Sequence, residues 1–123
     1  MLIEHPVDVM LLSKDLAVAR GFYEGKLGLE VVLEDEQFVT FACGGDSRVV
    51  VTKSTVGSAD QATKASWRVR DVVAEVAQLR ARGVEILDLP DLGTVDGVTD
   101  IGFALAAWLV DPDGNSLGLL QLR

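Results

Sequence analysis

Two side chains of opposite charge stand at equivalent places of an internal repeat: Asp8, inside the apolar run Val7 to Leu12, and Lys64, ahead of the run Ala65 to Val69. A carboxylate within such a run is costly unless it meets a partner. Facing each other across a cleft, the two would form an ion pair able to orient a ligand, or to serve as acid and base. Alternatively they form a structural salt bridge, or are two separately solvated strand ends. Side chains alternate along a strand, so Met10 and Leu12 share a face with Asp8, and Ser66 and Arg68 share one with Lys64. Ser116 and Gly118 fall on the corresponding face of the last strand, where a residue without a side chain would leave room for a planar group. Trp108, alternating with Leu109, either stacks on an aromatic or cationic ligand or belongs to the core. Trp67 has the parity of Ala65 and Val69 and reads as core.

Other chemistry is hard to assemble from this chain. His5 is the only histidine and precedes the first strand, with nothing in the spacing to set it beside Ser66 or Cys43 as a nucleophile's base. Glu34-Asp35-Glu36 is a solvated turn. Gly44-Gly45-Asp46 leads into a strand rather than a helix N-terminus, so it is no phosphate loop. No catalytic residue can be named on these grounds.

The elements that must position these groups follow from the repeat. Asp15 and Asp71 each cap an amphipathic helix, Gly28 and Gly83 end the two helices, and the spacing between copies is about 56 residues. Strands are expected at Val7 to Leu12, Leu29 to Leu33, Phe38 to Cys43 and Arg48 to Lys53, then at Ala65 to Val69, Val84 to Leu87, Phe103 to Val110 and Ser116 to Leu120. Ser54 to Thr63 reads as a linker and Pro90 to Asp100 as a turn-rich loop. Asp111-Pro112-Asp113-Gly114-Asn115 is a tight turn. The expected fold is α+β: one domain over 1–123, with tandem β-α-β-β-β modules at about 5–54 and 63–122 forming a cupped mixed sheet. Each helix covers one face, and the opposite face stays open, where small molecules usually bind.

Composition narrows the partners. Eleven basic residues against nineteen acidic give a net charge of −8, which repels a polyanionic backbone, so nucleic acid is not an expected partner and a cationic small molecule is mildly favoured. Cys43 is the only cysteine, so no intramolecular disulfide can form, which fits a cytoplasmic location. The first residues carry acid and proline rather than a secretory pattern, and no apolar run approaches the length of a membrane span.

Asp15-Leu16 through Phe22-Tyr23, Leu27-Gly28-Leu29 and Asp111-Pro112-Asp113-Gly114-Asn115 together resemble the vicinal oxygen chelate superfamily, which includes glyoxalase I, extradiol dioxygenases and bleomycin resistance proteins. The resemblance spans nearly the whole chain. It implies paired modules, a cupped sheet and a homodimer whose clefts take residues from both subunits. Members that bind a metal hold it with His, Gln or Glu on four strands. Counted from the shared motifs, those positions here are Asp8, a residue near Val51, Lys64 and Gly118. Of these only Asp8 could bind a hard cation, so neither metal nor other cofactor is expected. What the resemblance then implies is a metal-independent small-molecule binder, as in antibiotic sequestration. The alternative is a lyase, isomerase or dioxygenase of the same superfamily.

Overall fold

The computed structural model describes residues 1–57 and 60–123; Ser58 and Ala59 of the expected linker lie outside the described residues. The first copy of the repeat forms β1 (Asp8–Ser13), α1 (Leu16–Arg20), β2 (Glu30–Glu34), β3 (Phe38–Ala42) and β4 (Arg48–Lys53). The second forms β5 (Thr63–Arg68), α2 (Val72–Ala81), β6 (Thr99–Asp100), β7 (Ala104–Val110) and β8 (Ser116–Leu122). Each copy folds into a four-stranded sheet, in the orders β1-β4-β3-β2 and β5-β8-β7-β6. The β1/β4 and β5/β8 pairs are parallel and the rest antiparallel, so the two sheets share one mixed topology.

The helix signals act as their residue types require. The Asp15 carboxylate accepts from the Ala17 and Val18 amides, and that of Asp71 from Ala74, meeting donors the first turn leaves free. Gly28 and Gly83 stop the helical runs at φ of +74° and +82°, a region open to glycine. Beyond α1 the chain widens into a π turn over Gly21–Lys26, in which Leu27 N–H reaches the Phe22 carbonyl. The consecutive rings of Phe22 and Tyr23 are both buried there, and Tyr23 packs on Phe41 with ring centroids 5.4 Å apart. One apolar core runs through Leu11, Phe41 and Val51 of the first copy and Val76, Leu109 and Leu117 of the second. Trp67 packs against it, on the face its parity predicted.

One strand is not where the pattern put it. Val84 and Ile86 are buried as expected, but Val84 to Leu87 pairs with β7 through a single bond, Leu87 N–H to the Trp108 carbonyl at 2.8 Å. Pro90, which has no N–H to give a ladder, opens a short 3-10 turn (Pro90–Leu92) close after it. The edge position of the sheet passes to β6, inside the segment that read as loop.

The Asp111 to Asn115 turn clasps the two copies together. The Tyr23 hydroxyl donates to Asp111 Oδ2 at 2.6 Å, and the Asn115 amide nitrogen donates both to Asp111 Oδ2 (2.8 Å) and to the Leu12 carbonyl (3.0 Å). Asp111 Oδ1 accepts from the Asp113 and Asn115 backbone amides, and Asp113 Oδ1 from that of Lys14. Burial foremost, then the hydrogen bond to Asp111, raises the Tyr23 hydroxyl pKa far above its ordinary value, so it stays a donor.

Candidate functional site

Each sheet has a face turned away from the shared core, and the sequence-derived candidates distribute over these two faces. On the first, β1 and β4 run parallel with Asp8 opposite Arg48. The guanidinium grips the carboxylate twice, Nε to Oδ1 at 3.3 Å and Nη2 to Oδ2 at 3.2 Å. Met10, 64% exposed, and Leu12 follow Asp8 along this face. A hollow of about 390 Å³ beside the ion pair is lined by Pro6, Val32, Ala42 and Ser47. The partner of Asp8 is therefore Arg48 across the ladder, rather than Lys64 as one of the sequence readings holds. Lys64 Nζ donates to Asp60, four residues back. Val51, near which the fourth counted position falls, is fully buried in the core, while Val50 and Thr52 carry the open-face parity of β4.

The second face holds a different arrangement. Thr63 pairs with Ser116 and Ala65 with Leu117, so Lys64 sits in an irregularity of β5 without a partner across the ladder. That inserted residue gives Thr63 the place that simple counting assigned to Lys64. Ser66, Gly118 and Trp108 stand abreast on β5, β8 and β7, with exposed Arg68 one pair further on, opposite Leu120. A Cβ on Gly118 would lie 3.3 Å from Ser66 Oγ, 3.4 Å from Thr63 Cγ2 and 3.6 Å from Trp108 Cδ1. The Ser66, Thr63 and Trp108 side chains thus close around Gly118, within touching distance of where a side chain would begin.

Beside that ring lies a hollow of about 590 Å³, a size suited to a small organic molecule. Leu87, Leu89, Leu92, Val110 and Trp108 form its apolar walls, and Gln61, Thr63 and Ser116 its polar margin. The Leu89 wall is held by the Thr94 hydroxyl, which bonds both to the Leu89 backbone and to Thr99 Oγ1 at 2.6 Å. Thr63, Gln61, Leu87, Leu89 and Leu92 were not singled out from the sequence. The signal for Thr63 is hidden by the bulge, and that for the leucines by a segment that is neither regular strand nor solvated loop.

Among the described residues no ionisable side chain lines this hollow. Cys43 lies elsewhere, half-buried, and burial pushes its thiol above the ordinary range, away from a nucleophile's needs. Among the described residues no group of three or more His, Cys, Asp or Glu side chains comes together. The four positions that hold metal in the superfamily do not fit a divalent cation. Asp8 is held by Arg48, Val51 points into the core, Lys64 carries an ammonium, and Gly118 has no donor. No described helix is long and apolar enough to cross a membrane.

A family profile described as the Glyoxalase/Bleomycin resistance protein/Dioxygenase superfamily matches residues 5–119. No curated protein matches the chain. Among solved structures, a member of the same superfamily from Sphaerobacter thermophilus superposes with a TM-score of 0.76 at 22% identity, covering 98% of this chain and 99% of that one. TnmS3, an antibiotic binding protein from a Streptomyces species, gives 0.74 at 24% identity, covering 100% and 99%. Lactoylglutathione lyase from Agrobacterium tumefaciens gives 0.69 at 21%, covering 94% and 91%. At such identities the structures establish a shared fold. With the profile spanning almost the entire chain and the duplicated fold beneath it, the protein belongs to the glyoxalase/bleomycin resistance protein/dioxygenase superfamily.

Proposed function

We propose that the chain is a metal-independent small-molecule binding protein that sequesters an aromatic ligand, such as an antibiotic, in the hollow beside Trp108. The observation that carries this reading is the lining itself: apolar and aromatic walls, a polar margin of hydroxyls and one amide, and no group that could transfer a proton or hold a metal. Affinity would come from burial of the ligand against the leucines and from stacking on the indole. TnmS3, an antibiotic binding protein of the same fold, supports the reading. The protein would act in the cytoplasm as a homodimer, in keeping with the single cysteine and with exposed Met10 and Leu12 on an open sheet face.

A thermal-shift screen with polyaromatic antibiotics tests this proposal, because a ligand that binds only the folded chain stabilises it by about 2.7 kcal/mol at a hundred times its Kd. A stabilising hit that Trp108→Ala abolishes is the expected result. A stoichiometric divalent metal in the purified protein, with turnover of a glutathione thioester, would replace the binder by the enzyme.

A further inference from the structure

The hollow beside Trp108 is uncharged in its lining: the nine described residues that form it include no Asp, Glu, Lys, Arg or His. The ionic groups next to these residues in sequence stand outside the lining: Asp88 and Asp91 are exposed beside the leucine wall, Lys64 donates to Asp60, and Asp113 accepts from the Lys14 amide. A cation entering would lose water without meeting a carboxylate, and an anion would meet neither a basic side chain nor a favourable field from a chain of net charge −8.

The polar margin has capacity to spare. Ser116 is only 9% exposed. Its hydroxyl, like the Thr63 hydroxyl and the Gln61 amide, makes no hydrogen bond among the described residues. None of these three groups is a buried atom left unsatisfied: they open to solvent at the hollow, where their hydrogen-bonding capacity is available to whatever enters. Trp108 stands abreast of Gly118 and Ser66 across the sheet, which sets its indole at the side of the hollow.

Building on the function proposed above, we infer that the ligand is an uncharged planar aromatic carrying a hydroxyl or carbonyl oxygen on one edge, stacked on Trp108 with that oxygen at Ser116 and Thr63. This runs against the preference for cations that net charge alone implies. The margin supplies both donors and acceptors, whereas an ammonium at the same place would have acceptors but no counter-charge.

Four probes of one ring system test the inference by calorimetric titration: naphthalene, 2-naphthol, naphthalene-2-sulfonate and 2-naphthylmethylammonium. The expected order of affinity is naphthol first, the ammonium at least about tenfold weaker, and the sulfonate weakest, given the cost of burying an unpaired charge. Ser116→Ala should weaken naphthol about fivefold, one net hydrogen bond, and leave naphthalene unchanged, which a merely structural role of Ser116 would not do. An ammonium that binds as well as naphthol overturns the charge assignment while keeping the hollow as a binding site. Equal weakening of naphthol and naphthalene by Ser116→Ala overturns the hydrogen bond. If none of the four binds, the sequestration reading itself fails, and the inference with it.

Discussion

The two sheets have the same strand order and the same helix caps, yet their open faces have become different surfaces. On the first, Asp8 is neutralised by Arg48 directly across the ladder, and the neighbouring positions are exposed Met10 and Leu12. On the second, the Thr63 and Ser116 hydroxyls at the margin of an apolar hollow make no hydrogen bond among the described residues. A duplicated scaffold therefore constrains helices, turns and core far more than the outward face. The face whose charges are satisfied internally has little left to offer a ligand. The second face carries its charges, Arg68 and the Lys64–Asp60 pair, outside the hollow, and the uncharged hollow with its available hydroxyls is suited to one.

The largest expected effect separates these surfaces. Trp108→Ala should cost about 2 kcal/mol or more of ligand binding, a loss of roughly thirtyfold typical of a buried aromatic anchor, while Arg48→Ala should change it less than about twofold. The reverse outcome in calorimetry would move the site to the first sheet. Next comes the clasp that both copies share. Tyr23→Phe removes a buried hydrogen bond to Asp111 and should lower stability by about 1.5 kcal/mol in urea unfolding without favouring either face.

The clasp also fixes a pH signature. The Tyr23 pKa is raised on folding, so its contribution is fully present below the unfolded value of about 10 and is lost as pH rises above it. The melting temperature of the parent should fall more steeply above pH 10 than that of Tyr23→Phe.

Smaller effects sharpen the contrast. Gly118→Ala sets a methyl 3.3 Å from a rotatable Ser66 hydroxyl and in ordinary contact with Trp108, so it should cost about 1 kcal/mol or less in stability and leave ligand binding within about twofold. Asp8→Asn removes half of a surface ion pair and should shift stability by under about 0.5 kcal/mol, less still in high salt.

How far the sequence foretold this depends on whether the determinant is local. Asp15, Asp71, Gly28 and Gly83 act within a turn of their own helices, and both caps and stops stand where the residue types require. The parity of Trp67 and Trp108 was legible because β5 beyond residue 65 and β7 are regular. Lys64 was misplaced because a bulge is set by the partner strand, and one inserted residue shifts every position counted across it. The Arg48 partner of Asp8 depends on the register of a parallel pairing forty residues apart, which no local pattern encodes. Gly118 was recognised as a position without a side chain, but what closes around it is settled by three other strand positions. The leucines of the hollow were missed because Val84 to Leu89 buries or half-buries its apolar side chains without forming a ladder and Leu92 stands exposed in a 3-10 turn, so neither the strand period nor loop polarity marks them.

The account rests on the second face alone being the binding surface, and a two-dimensional NMR titration with 2-naphthol reads that face by face. It predicts that the Trp108 indole N–H and the amides of Thr63, Leu87 and Ser116 shift together with one affinity, while those of Asp8, Met10 and Arg48 stay still. Shifts centred on Asp8 and Arg48, with Trp108 unmoved, would contradict it.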